Sequence, residues 1–184
     1  MRPAQDAVLE WLVGLLPVVG GGSTRWMTVM FTDIRGFTRS AAAGGDSAAV
    51  RLLAAHDRAV LPPVRRHRGR IVKRLGDGLM AAFASPRDAV AAALAMQAAA
   101  ARLRFGLRIG IHAGAARVRA GDLIGHDVNV AARVTDRAGG GEIVVSASVR
   151  RHAGEIGARF RSLRPLVVDD RARIPLFRVD GPAA

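Results

Sequence analysis

The sequence predicts an α+β fold: a ferredoxin-like βαββαβ core extended by one further helix and C-terminal strands. Three observations predict it. Apolar or alternating runs of strand length recur along the chain. Two long helix-period segments separate them. Gly76-Asp77-Gly78 joins two of the runs directly, as an antiparallel hairpin requires.

The elements follow in order. Residues 3–16 read as an amphipathic helix ended by Pro17, with Val8, Leu9, Trp11, Leu12, Leu15 and Leu16 covering much of its surface. Gly20-Gly21-Gly22-Ser23 is a flexible joint. The expected organisation is therefore a helix and hinge over 1–24 and one main domain over 25–184. The helix packs on its own domain or on a partner subunit, or it leads in from a regulatory module. Trp26 to Thr32 is a short apolar run, expected as a buried strand. Residues 46–67 form a helix with Val50, Leu53, Ala54, Val60 and Leu61 on one face, and Pro62-Pro63 kinks or breaks it. Ile71 to Leu75 and Leu79 to Phe83 are the hairpin strands. Ser85-Pro86 with Asp88 opens an alanine-rich helix to about Arg102. Phe105, Leu107, Ile109 and Ile111 alternate with Gly106, Arg108, Gly110 and His112, the pattern of a half-buried strand. After a glycine-punctuated turn, a helix runs over 127–138 and stops at Gly139-Gly140-Gly141. Ile143 to Val145 is a strand, and 158–179 holds two more around a polar turn. The core places its helices on one face of the sheet, and a second subunit is a common cover for the other.

Composition narrows the function classes. At 184 residues the chain can bury a core of its own. It is half apolar and 23% charged, so it is not a disordered chain. It has no cysteine, which excludes a disulfide framework, a thiolate metal site and a thiol nucleophile, and fits a cytoplasmic location. The net charge of +13 suggests a polyanion partner or a general preference for arginine. The densest run, Arg65-Arg66-His67-Arg68-Gly69-Arg70, lacks the interleaved aromatics that base stacking needs, so no specific nucleic-acid partner is expected. Ala7 to Val19 is too short for a membrane span and contains Glu10; Asp6 and Glu10 also spoil a signal-peptide pattern.

The chemistry centres on a few polar side chains. Asp33 ends the first strand and Asp77 sits at a hairpin tip; the two strands are neighbours in this fold, so both carboxylates reach one end of the sheet. Hard divalent cations take such oxygen ligands and leave positions for phosphates, although each aspartate is also a common turn or capping residue. Gly36 lets the backbone approach a ligand, so that the N–H groups after it, at Phe37 and Thr38, can cradle phosphate. Asn129 and Arg133 share a helix face, suited to a sugar oxygen and a charged phosphate, or simply to solvent. Arg108, inside an apolar and glycine-rich strand, needs an anionic partner, either a ligand phosphate or a carboxylate elsewhere in the chain.

Four blocks then occur in order: Phe31-Thr32-Asp33-Ile34-Arg35-Gly36-Phe37-Thr38, Lys73-Arg74-Leu75-Gly76-Asp77-Gly78, Arg108 to Gly114, and Gly121 to Arg133. Together, from about Met27 to Val179, they closely resemble the catalytic domain of class III nucleotidyl cyclases, and adenylate cyclases among them. The resemblance implies a head-to-tail homodimer with two active sites at the interface, ATP as substrate, 3′,5′-cyclic AMP and pyrophosphate as products, and two divalent cations, Mg²⁺ or Mn²⁺. It implies metal binding at Asp33, Asp77 and Ile34, adenine selection by Lys73 and Asp122, ribose positioning by Asn129 and transition-state stabilisation by Arg133. Arg108 matches a triphosphate-binding arginine, and Arg164 in Leu163-Arg164-Pro165 stands where many relatives carry lysine. Lys73 is the single lysine among 28 basic residues, at the family's adenine-reading position. In such dimers the metal aspartates come from one subunit, and the purine pair, Asn129 and Arg133 from the other. The 1–24 segment resembles the coupling helices that precede cyclase domains. The alternatives are a guanylate cyclase or a catalytically silent nucleotide-binding module. A diguanylate cyclase is a poor match, because Gly44-Gly45-Asp46-Ser47-Ala48 lacks the Glu-Phe continuation.

Overall fold

A computed structural model describes residues 24–169 and 172–181. The expected helix over 3–16 and the hinge lie outside the described residues. The elements are β1 (Thr24–Ile34), α1 (Phe37–Arg66), β2 (Arg70–Leu75), β3 (Gly78–Phe83), α2 (Pro86–Arg102), β4 (Leu107–Arg119), β5 (Asp122–Ile124), α3 (His126–Thr135), β6 (Ile143–Ser146), α4 (Ala147–His152), β7 (Arg159–Val167) and β8 (Arg173–Asp180). The sheet order is β2-β3-β1-β4-β6-β8-β7, with β5 paired to β4. Its first four strands are antiparallel neighbours in the βαββαβ order expected, and β6 joins β4 in parallel.

Alternation along β1 and β4 assigns the two faces. Met30, Ile109 and Ile111 point into the main core with Val60 and Val64 of α1, Val90 and Met96 of α2 and Val149 of α4. Met27 and Val29 point the other way, toward Leu123 of β5 and Val128 and Ala131 of α3. A third cluster joins Val130 and Val134 of α3 to Val144, Leu166 and Leu176, so the β7–β8 hairpin backs the same helix. The two helices of the βαββαβ core, α1 and α2, therefore share one face as expected, and the additional helix α3 with β5 covers part of the other. Two glycines of β4 admit α3: a Cβ at Gly110 would fall 2.3 Å from the Thr135 nitrogen, and one at Gly114 would fall 2.2 Å from the Asp127 carboxylate.

Other elements differ in extent. The helix expected from residue 46 is the long second part of α1, after non-helical Gly45 (φ 65°, ψ −173°); a further helical stretch from Phe37 precedes it, and the helix does not break at the proline pair. Pro62 and Pro63 lie inside α1, which continues past them to Arg66 although neither has an N–H to give the carbonyl four residues back. Val50 and Ala54 are exposed; the buried residues of α1 begin at His56. Strand β5 and helix α4 lie in stretches that carry no clear period in the sequence. Among the described residues no helix is long and apolar enough to cross a membrane.

Candidate active site

The carboxylate end of the site is built by β1, β3 and β4. Asp33 pairs across the ladder with Arg108, and the Arg108 Nη2 donates to the Asp33 Oδ2. The partner that Arg108 needs is thus a carboxylate of the same chain. Its Nε is buried and has no acceptor. The Asp77 turn is tight: Leu75 pairs with Gly78, and Gly76 takes φ 62°, a region that suits glycine. Gly78 lies directly on β1, where an added Cβ would meet the Thr32 carbonyl oxygen at 1.9 Å and the Asp33 Cα at 3.3 Å. The hairpin tip therefore abuts the end of β1 and brings Asp33 and Asp77 to one sheet end. No described residue hydrogen-bonds to the Asp77 carboxylate. Ile34 is buried, so what it can offer a cation is its backbone carbonyl.

Gly36 caps α1 in the left-handed region (φ 76°), with no side chain capping the helix and no acidic residue in the first turn. The N–H groups of Phe37 and Thr38 thus begin an uncapped helix beside the two carboxylates, an arrangement that favours an anion. Arg35 turns aside: its stem lies over Gly140, where an added Cβ would meet the Arg35 Cδ at 2.7 Å.

The second group forms where edge strand β2 meets β5. Lys73 Nζ donates to Asp122 Oδ2 at 2.6 Å, and Asp122 Oδ1 accepts from the Leu123 N–H at 2.7 Å. Both side chains are about 40% exposed, so each can turn from the other to a ligand. Asn129 and Arg133 lie on the exposed face of α3, whose other sides are buried through Val128, Val130, Ala131 and Val134. Arg133 donates to the carbonyls of Val167 (2.5 Å) and Val168 (3.1 Å). These neutral acceptors orient the guanidinium without cancelling its charge. Arg164 is exposed, two residues before buried Leu166, where the β7–β8 ladder shifts register. Among the described residues no hydrogen bond or ion pair joins the Asp33–Asp77–Arg108 group to Lys73–Asp122 or to Asn129 and Arg133.

Two polar networks, each built on a buried histidine and reaching the surface, support these groups and were not singled out from the sequence. In the first, Thr32 Oγ1 accepts from the Leu79 N–H and lies 3.0 Å from His56 Nε2. His56 Nδ1 lies 3.5 Å from Asp57 Oδ1, and Asp57 receives both arms of the Arg74 fork at 2.7 and 2.9 Å. Burial pushes the His56 pKa down, and Asp57 opposes it; the hydrogen bond from Arg74 holds the Asp57 carboxyl below the usual range. In the second network His112 lies between Ser146 Oγ (2.8 Å from Nδ1) and Asp127 Oδ1 (3.4 Å from Nε2), and burial lowers its pKa also. Asp127 Oδ2 accepts from the Ala115 N–H at 2.6 Å, which ties the start of α3 to β4. The available signal was positional: His56 falls in step with Leu53 and Val60 on the apolar face, where a polar group needs a partner.

Residues 22–179 match the family model of the adenylate and guanylate cyclase catalytic domain. A relative provisionally named adenylate cyclase 3, from Rhizobium meliloti, is 32% identical over 136 residues, 70% of this chain and 23% of its own length. The chain spans less than a quarter of the length of the curated relatives it matches. Among solved structures, the adenylyl cyclase CyaB from P. aeruginosa superposes with a TM-score of 0.77 at 23% identity, covering 89% of this chain and 98% of that one. An adenylate/guanylate cyclase/hydrolase from Silicibacter pomeroyi gives a TM-score of 0.76 at 27% identity, covering 88% and 99%.

Proposed function

The chain belongs to the adenylate and guanylate cyclase catalytic domain family, and from that premise we propose that it is an adenylate cyclase, converting ATP to 3′,5′-cyclic AMP and pyrophosphate. The observation that carries the choice of base is the Lys73–Asp122 pair at 2.6 Å. Adenine offers an acceptor at N1 and a donor at its 6-amino group, which match an ammonium and a carboxylate. Guanine offers the reverse at both positions, leaving each group facing its own kind, and unmatched polar groups of this sort discriminate strongly.

The donor set at the sheet end fits a hard divalent cation. Asp77 has no competing donor, and the uncapped α1 N-terminus next to it suits the phosphates that would complete the coordination. Among the described residues no group of three or more histidine, cysteine or acidic side chains is placed to hold a metal ion; the ligands in this reading are the Asp33 and Asp77 carboxylates and the Ile34 carbonyl. Two ions, Mg²⁺ or Mn²⁺, bound there would acidify the ribose 3′-hydroxyl and share the phosphate charge.

The residues of the chain do the rest. Asn129 holds the ribose. The Phe37 and Thr38 N–H groups and Arg108 hold the triphosphate, whose oxygens compete with Asp33 for the guanidinium, and Arg164 reaches it from β7. The 3′-oxygen forms a bond to the α-phosphorus as the bond to the β-phosphate oxygen breaks. The hydroxyl proton passes to water and pyrophosphate leaves. Arg133, already oriented by two carbonyls, meets the charge that develops at the α-phosphate. The two groups are not joined within one chain, which fits a head-to-tail homodimer in which each site takes Asp33 and Asp77 from one protomer and Lys73, Asp122, Asn129 and Arg133 from its partner. A cytoplasmic location accords with ATP as substrate.

The test is to incubate the purified chain with ATP or GTP and with Mg²⁺ or Mn²⁺, reading cyclic nucleotide by mass spectrometry over a range of protein concentrations. Cyclic AMP from ATP, with specific activity rising with protein concentration, is the expected result. Cyclic GMP as the main product would overturn the base assignment. Bound ATP without any cyclic product would make the domain a silent nucleotide-binding module.

A further inference from the structure

We propose that Asp57 and Arg74 form a clamp that fixes Lys73 in place and so sets the preference for adenine over guanine; both are positioning residues. The inference rests on the reading of Lys73 as the base-reading lysine.

Lys73 stands on the least supported strand of the sheet. β2 is an edge strand that pairs only with β3. Its ladder shifts register between Ile71 and Lys73, with Ile71 opposite Ala81 and Lys73 opposite Met80, so Val72 is an extra residue. A bulge of this kind bends the strand and re-aims the side chain that follows it, at the cost of local ladder support. Four of the six residues of β2 are exposed. A lysine is a point charge on a flexible stem, so its selectivity depends on where the backbone holds it.

Among the described residues, two polar side-chain contacts tie β2 to elements other than β3. One is Lys73 to Asp122; the other is Arg74 to Asp57. Reading a base draws the hydrogen bonds of Lys73 and Asp122 toward the ring, which weakens the first tie when it is most needed. The second remains. It is bidentate, the geometry in which a guanidinium fork is most directional. Its acceptor stands on firm ground: Asp57 follows buried His56, which meets the Thr32 hydroxyl, and Ala59 and Val60 anchor the same stretch of α1 in the core. Arg74 is adjacent to Lys73, so the clamp acts on the peptide that carries the lysine.

The experiment compares kcat/KM for ATP and for GTP in the parent, Arg74→Gln, Asp57→Asn, the variant with both of these changes, Lys73→Met, and Lys73→Met combined with Arg74→Gln, together with the affinity of each for non-hydrolysable ATP and GTP analogues and with thermal unfolding. The ATP-to-GTP ratio is independent of the amount of folded enzyme, which a purely stabilising ion pair would change. The clamp predicts that Arg74→Gln and Asp57→Asn each lower the ratio by about fivefold, that the double variant is no worse than either, and that Arg74→Gln has no further effect on the ratio in the Lys73→Met background. An unchanged ratio in folded Arg74→Gln and Asp57→Asn proteins, with Lys73→Met reducing it, would overturn the clamp and leave the base assignment standing. A ratio untouched by Lys73→Met would overturn the base assignment, and the clamp with it.

Discussion

Replacing Gly110 by alanine tests whether the proposed catalytic face of α3 is placed by backbone contact with β4. The added Cβ would lie 2.2 Å from the Thr135 Oγ1, 2.3 Å from its nitrogen and 2.5 Å from its Cα. The hydroxyl can rotate away, but the two backbone atoms cannot. To restore ordinary contact α3 must retreat by about 1 Å, and overpacking of this size costs about 1–3 kcal/mol of stability. The helix has little room, because the β7–β8 hairpin packs on its other side through Leu166 and Leu176. Asn129 and Arg133 ride on α3, and a misplacement of about 1 Å costs about 100-fold in turnover. The assay is kcat at saturating ATP, with thermal unfolding and the oligomeric state measured on the same preparation. The expected result is a folded dimer with a modest loss of melting temperature and a large loss of kcat. A kcat within about twofold of the parent, with unchanged unfolding, would refute the argument that contact at Gly110 sets the position of α3.

Arg133→Ala is expected to lower kcat by about 10²–10³ with little change in KM, since in the proposed mechanism the group meets charge that develops in the transition state; steady-state kinetics with ATP decide it. Asp33→Asn and Arg133→Ala proteins should each be inactive, yet when mixed and allowed to exchange subunits they should recover about a quarter of parental activity, because half the dimers then hold one intact site; failure to recover any would argue against sites shared between protomers. Acid should destabilise the fold beginning near pH 6.5. Burial lowers the pKa of His56, which faces Asp57, Arg74 and Asp77, and of His112, which faces Asp127 and His126. The unfolded chain therefore binds more protons below about pH 6.5, and the stability contributed by the two neutral rings is lost as pH falls from there toward their lowered values. Melting temperatures measured from pH 7.5 to 5 should fall with pH, and His112→Gln should fall less steeply than the parent; a flat profile would contradict the neutral buried rings.

Much of the fold was legible because periodicity and punctuation are local. The Gly76-Asp77-Gly78 turn, the Ser85 cap with Pro86 behind it, and the alternation through Leu107, Ile109 and Ile111 each state an element within a few residues. The break in α1 was misread for a local reason too: a proline pair is a stronger breaker than a glycine in general, but α1 runs through Pro62 and Pro63 to Arg66, whereas Gly45 in dihedrals far from helical bends the chain outright. Strand β5 escaped notice because three residues carry no period, and α4 because its six residues follow directly on β6.

The identities of the chemical groups follow from residue type and spacing alone. Two carboxylates reach one sheet end because neighbouring strands end in them, and Asn129 and Arg133 share a face because a helix turns every 3.6 residues. Which partner each group finds depends instead on packing between segments far apart in the chain. Arg108 meets Asp33 because β1 and β4 pair in one register, and a slip of one residue would send Arg108 to the opposite face. Lys73 meets Asp122 across 49 positions, and the Arg74 fork meets Asp57 across 17, only once the edge strand, β5 and α1 have been brought together by burial of Met80, Leu123, Val60 and their neighbours. Short-range pattern names an element because the backbone repeats; contacts between elements are chosen by the fit of whole apolar faces, a sum over many side chains that no local window contains.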